Sequence, residues 1–226
     1  MNKMNLPPID VDEALRYMGT PPDRAEETLR ALVEDCARTV AEAAQPRRCI
    51  KRTALSFEED GVRLDNGLLL PGQSLKEHLS GCVEAVVFCA TLGAQVDALI
   101  RRAECTDMVR TLALEGCADA AVESLCDQME EETAGEYPGK HFPFRFSPGY
   151  GDLPLTVQND LLAWLDAPRK IGLCATASHI LTPRKSVTAI LGVSDQSVQP
   201  HKRSCARCPA RESCAYGKSG GHCGIS

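Results

Sequence analysis

Leu29, Leu32, Val33, Cys36 and Val40 recur at spacings of three and four, which places them on one face of a helix. Pro21 and Pro22 are expected to open this helix, and Pro46 to end it. A shorter helix is predicted over 11–18, capped by Asp10 or Asp12 and stopped by Gly19. From Cys49 to Leu70 the period shortens. Extended runs over 50–57, at Val62 and Leu64, and over 68–70 flank an Asn66-Gly67 turn, a pair that tolerates the positive φ of tight hairpins. Ser74 is the expected cap of a brief helix through Leu79, and 83–90 is an apolar run of strand length. A helix from Gly93 to about Ala103 follows. The longest helix, 107–133 with Thr106 as cap, keeps Met108, Leu112, Val122, Leu125 and Met129 mostly in register. Gly116 and Ala120, four apart on it, are small enough to admit a close neighbour. Glu130, Glu131 and Glu132 read as a solvated helix end. Further on, 155–165 reads as a helix, 171–173 as a short strand and 185–193 as a final strand. Without regular strand-helix alternation, the class is α+β with a mostly antiparallel sheet.

Between the last two helices the texture changes. Phe144 and Phe146 alternate with Arg145, as on a strand with one apolar face, and lead into Ser147-Pro148-Gly149-Tyr150-Gly151-Asp152. An arginine before a glycine loop and a tyrosine can hold a small zwitterion: the guanidinium pairs with a carboxylate and the ring packs beside a cationic or apolar part. Taken alone, these residues fit a tight turn with a surface arginine better.

Composition narrows the field. The chain has 226 residues, a net charge of −6 and 43% hydrophobic residues, enough to close a core without disulfides. The acidic balance argues against a chain that coats nucleic acid or an anionic membrane. The first dozen residues lack the apolar run of a secretory signal, which predicts a cytoplasmic protein. Twelve cysteines are present. In a reducing compartment Cys36, Cys89, Cys117 and Cys126 are expected to be small buried hydrophobes, and Cys174, near His179, a buried structural thiol.

The run from Arg145 through Gly149-Tyr150 to Leu155, with Ile171-Gly172 and the segment from Leu181 to Gly192, resembles the activation domain of cobalamin-dependent methionine synthase. It looks more like the short stand-alone bacterial relatives of that domain, which also have counterparts of 15–19 and 90–93. The resemblance spans about residues 10–195 and implies a twisted antiparallel sheet flanked by helices, over a domain of 1–200. It also implies a binding site for S-adenosylmethionine (AdoMet), with Arg145 on the methionine carboxylate, Gly149 letting the loop backbone approach and Tyr150 packing beside the ligand. The family's reaction couples an electron from a flavoprotein to methyl transfer from AdoMet, which restores cobalamin for methionine synthesis. Two acidic positions of the family pattern are unmatched, since Gly139 and Ala177 stand there. The Asp-x-His-x-x-Gly motif of cobalamin modules is absent, so cobalamin is expected to arrive on a corrinoid or methionine synthase partner. The chain is not expected to act as an enzyme alone.

Residues 201–226 form a separate tail. From His201 onward five basic residues face one acidic, a charge of +4 that leaves −10 on the body. Cys205, Cys208, Cys214 and Cys223 open with a Cys-x-x-Cys pair and have enough thiolates for a tetrahedral centre, either zinc or iron–sulfur. A reduced tail without metal, or one oxidised into adventitious disulfides, is the alternative. A competing function follows from the tail: a metal-centred electron-transfer or scaffold protein that keeps the fold without the methyl donor. With Tyr216 as its one aromatic, the tail is a poor nucleic-acid binder.

Overall fold

The structure is a computed structural model and describes residues 4–197. The cysteine tail and its proposed ligands Cys205, Cys208, Cys214 and Cys223 lie outside the described residues.

Five antiparallel strands form the central sheet: β1 (Arg47–Phe57), β2 (Gly61–Leu64), β3 (Leu69–Pro71), β4 (Cys82–Thr91) and β7 (Ser186–Ser194), in the order β3-β2-β1-β4-β7. A second hairpin pairs β5 (Cys174–Ala175) with β6 (Leu181–Thr182). The apolar run expected over 83–90 is interrupted by Glu84, and its continuous part, 85–90, is explained by the place of β4 between β1 and β7, with helices on both faces. Val86, Phe88 and Ala90 point to one helical layer, while Ala85, Val87 and Cys89 point to the other. The first layer holds α1 (Val11–Tyr17), α2 (Glu27–Ala43), α4 (Ala94–Glu104) and α5 (Met108–Glu136). The second holds α3 (Gln73–His78), α6 (Val157–Leu165) and α7 (Ala167–Ile171). The expected α+β class and mostly antiparallel sheet are therefore observed.

Several local expectations change. The prolines at 21 and 22 form a single 3-10 turn, and α2 begins at Glu27 because Ala25 and Glu26 are extended. Asp107 caps α5 in place of Thr106, accepting the Arg110 amide at 3.0 Å. Ser74 does not cap α3, whose first amides bond to Asp152. At the Asn66-Gly67 turn Gly67 alone takes a positive φ, 87°. The short strand expected at 171–173 is instead the end of α7, followed by Gly172 in the left-handed region, and strand pairing begins at Cys174. Met108 and Leu112, placed in the apolar register of α5, are 63% and 52% exposed because the neighbouring layer covers only the rest of that helix. Cys36, Cys89, Cys117 and Cys126 are buried as expected, but Cys174 is exposed on its small hairpin. Burial pushes the Cys117 and Cys126 thiols up to about 12, so neither is a reactive thiolate.

No helix among the described residues is long and apolar enough to cross a membrane.

Candidate functional site

The segment 144–152 runs beside β7 without becoming a full strand. A single antiparallel bridge joins Phe146 to Ile190, with both amides bonded at 2.8–2.9 Å. The alternation read from sequence holds. Phe144 and Phe146 both meet the His78 ring, at centroid separations of 4.4 and 5.0 Å, while Arg145 projects the other way, onto α5.

On α5 the guanidinium finds three carboxylates. Arg145 Nη1 donates to Asp127 Oδ1 at 2.6 Å and to Glu130, and Nη2 donates to Glu123. Positions 123, 127 and 130 share one helix face because they are four and three residues apart. The Arg145 side chain is 9% exposed, whereas Asp127 is 63% exposed and opens to solvent. Burial opposes the charge on Arg145, but the carboxylates of Glu123 and Glu130 outweigh it and hold the guanidinium more firmly protonated than a free one. Glu130, expected to be a solvated helix end, is thus a partner of a buried arginine, and Glu132 pairs with Arg48.

The same face of α5 continues toward its start. Lys185, just before β7, is buried and pairs with Glu115 and with Asp119 at 2.7 Å. Burial raises the Asp119 pKa, with Lys185 working against that rise. Five acids at 115, 119, 123, 127 and 130 therefore form a row along α5, with Lys185 and Arg145 set against it. Sequence reading missed the first four of these acids and took Glu130 for a solvated helix end. Their recurrence at three- and four-residue steps was the available signal, and it could not say that Arg145 faces them.

Gly149 adopts φ 94°, a backbone conformation that glycine takes without strain, and a Cβ there would lie 3.2 Å from the Leu155 side chain. Tyr150 is 40% exposed, and its ring packs against Phe146 at 5.7 Å with a 66° tilt. Since Phe146 and Arg145 point to opposite sides of the segment, Tyr150 leans on the side away from α5. Arg145, Gly149 and Tyr150 thus share one loop without sharing one set of contacts. Beside the acid row, a cavity of about 420 Å³ is lined by Asn5, Leu6, Pro7, Ser124, Asp127, Gln128 and Glu131, so it shares Asp127 with Arg145. No group of three or more His, Cys, Asp or Glu side chains that could hold a metal ion occurs among the described residues.

No family model matches this sequence, and no curated protein matches it. Among solved structures the chain is similar to the MetH reactivation domain bound to AdoHcy, with a TM-score of 0.57 and 16% identity. The match covers 76% of this chain and 67% of that one, and at this identity the likeness is one of fold.

Proposed function

We propose that this chain binds AdoMet at the Arg145–Tyr150 loop and supports reductive methylation and reactivation of cobalamin on a methionine synthase or related corrinoid partner. One observation carries the reading: Arg145 of the Arg145-x-x-x-Gly149-Tyr150 motif lies against a carboxylate row, in a fold like that of a domain crystallised with AdoHcy. Arg145 and its three carboxylates sum to a charge of −2. AdoMet carries a sulfonium and an ammonium beside one carboxylate, so a net anionic surround with one guanidinium suits it. The three carboxylate bonds use three of the five guanidinium N–H groups, and we assign the other two to the ligand carboxylate. Gly149 and Tyr150 shape the other side of the loop. The chain's share of the chemistry is orientation of the sulfonium methyl. Cobalamin, brought by the partner, supplies the methyl acceptor, and a flavoprotein supplies the electron.

Calorimetric titration tests the site. AdoMet is expected to bind, and AdoHcy, which lacks the sulfonium charge, to bind more weakly; absence of AdoMet binding removes the reading. Anaerobic pull-down with AdoMet present tests the partner, and a corrinoid protein should co-purify.

For the tail, the proposal is a metal centre on Cys205, Cys208, Cys214 and Cys223. Metal analysis and visible absorption of anaerobically purified protein should show either colourless stoichiometric zinc or coloured iron–sulfur. Protein with neither metal contradicts it.

A further inference from the structure

The loop that carries Gly149 and Tyr150 is docked on α3, and the docking is tight at both ends of that helix. At the start of α3 the Asp152 carboxylate accepts the Gln73 amide at 2.7 Å and the Ser74 amide at 2.9 Å. The contact leaves no room for side chains. A Cβ on Gly72 would stand 2.5 Å from Asp152 Oδ1, and one on Gly151 would stand 2.5 Å from the Ser74 side chain. At the other end, His78 Nε2 donates to the Phe144 carbonyl at 2.7 Å, and its ring packs on Phe144 and Phe146. α3 therefore spans the segment from Phe144 to Asp152.

Asp152 is also tied into the turn that shapes the loop. Tyr150 N–H donates to Ser147 O at 3.0 Å, Leu153 N–H to Tyr150 O at 3.0 Å, and Gly149 N–H to Leu153 O at 2.8 Å. Asp152 sits inside this chain of bonds, next to Leu153. Leu153 is also anchored by its side chain in the core, so the Asp152 contact adds a second hold on the residue whose amide and carbonyl bond Tyr150 and Gly149.

We propose that α3 is the positioning element of the Arg145–Tyr150 loop, acting through Asp152 at its start and His78 at its end. Asp152 is a positioning residue and does not touch the ligand. The ligand half of this inference rests on the AdoMet reading, whereas the loop half stands apart from it.

The test uses the full chain with Asp152→Ala, Asp152→Asn and Gln73→Pro, read by AdoMet calorimetry and by amide exchange at Gly149 and Leu153. Proline is tolerated at the first helical position and deletes the donor opposite Asp152, so Gln73→Pro probes the same contact from the other side. It also carries the test should Asp152→Ala not fold. Asp152→Ala is expected to weaken AdoMet and speed exchange at both amides by about tenfold, within the range of a lost cap. Asp152→Asn, which keeps one acceptor, should fall between it and the wild type. Unchanged exchange in Asp152→Ala overturns the positioning role, whether or not affinity falls. If the wild type itself fails to bind AdoMet, the functional reading is lost, and the exchange measurement still decides whether α3 positions the loop.

Discussion

Arg145→Ala is expected to abolish measurable AdoMet binding and to lower the stability of the chain by about 3 kcal/mol, the low end for breaking a buried ion pair by removing one partner. The stability loss has a structural cause apart from any ligand. Without the guanidinium, Glu123, Asp127 and Glu130 lose the charge they share across adjacent turns of α5. The low end applies because Asp127 is 63% exposed and keeps much of its hydration. Arg145→Lys separates the two roles. Lysine returns a positive charge to the row but has no planar fork, so it should restore most of the stability and little of the affinity. Urea denaturation gives the first quantity and calorimetry the second. Full AdoMet affinity in Arg145→Ala would remove this residue from the site.

The second large effect is expected at Gly116. By helix propensity alone Gly116→Ala should stabilise α5 by about 1 kcal/mol. The packing predicts the reverse sign. A Cβ at this position would stand 2.7 Å from the carbonyl oxygen of Ala14 and 3.1 Å from Met18 Cγ, where α1 crosses α5. The first of these atoms is backbone and cannot move without shifting α1. Overpacking of this kind costs about 1–3 kcal/mol, so Gly116→Ala should be net destabilising and Gly116→Val more so, by about 3 kcal/mol. The shift of the urea midpoint at constant slope measures it. A more stable Gly116→Ala would show that α1 gives way at no cost.

Both predictions depend on neighbours that the sequence leaves unnamed. The stripe of α2 was legible because a helix repeats its face every three to four residues, and Val33, Cys36 and Val40 are buried as that period requires. β4 was legible because its segment 85–90, covered on both faces, is apolar at every position. The cap of α1 was within reach because Asp10 bonds to the amides of Asp12 and Glu13, two and three residues away. The same local logic failed at α3, whose cap comes from Asp152, 78 and 79 residues along the chain. It failed again for Met108 and Leu112, since periodicity shows which face is apolar and not where the covering layer stops.

The candidate site divides along the same line. The residue types at Arg145, Gly149 and Tyr150, and the resemblance they carry, stand in the sequence, as do the alternation around Arg145 and the conformational freedom of Gly149. Only the tertiary structure decided that Arg145 is buried against Glu123, Asp127 and Glu130, and that Tyr150 leans to the other side on Phe146. The reason is range. Propensity, capping and periodicity act over a few residues, while the meeting of Arg145 with α5 follows from the bridge between Phe146 and Ile190 and the stacking of α5 on the sheet.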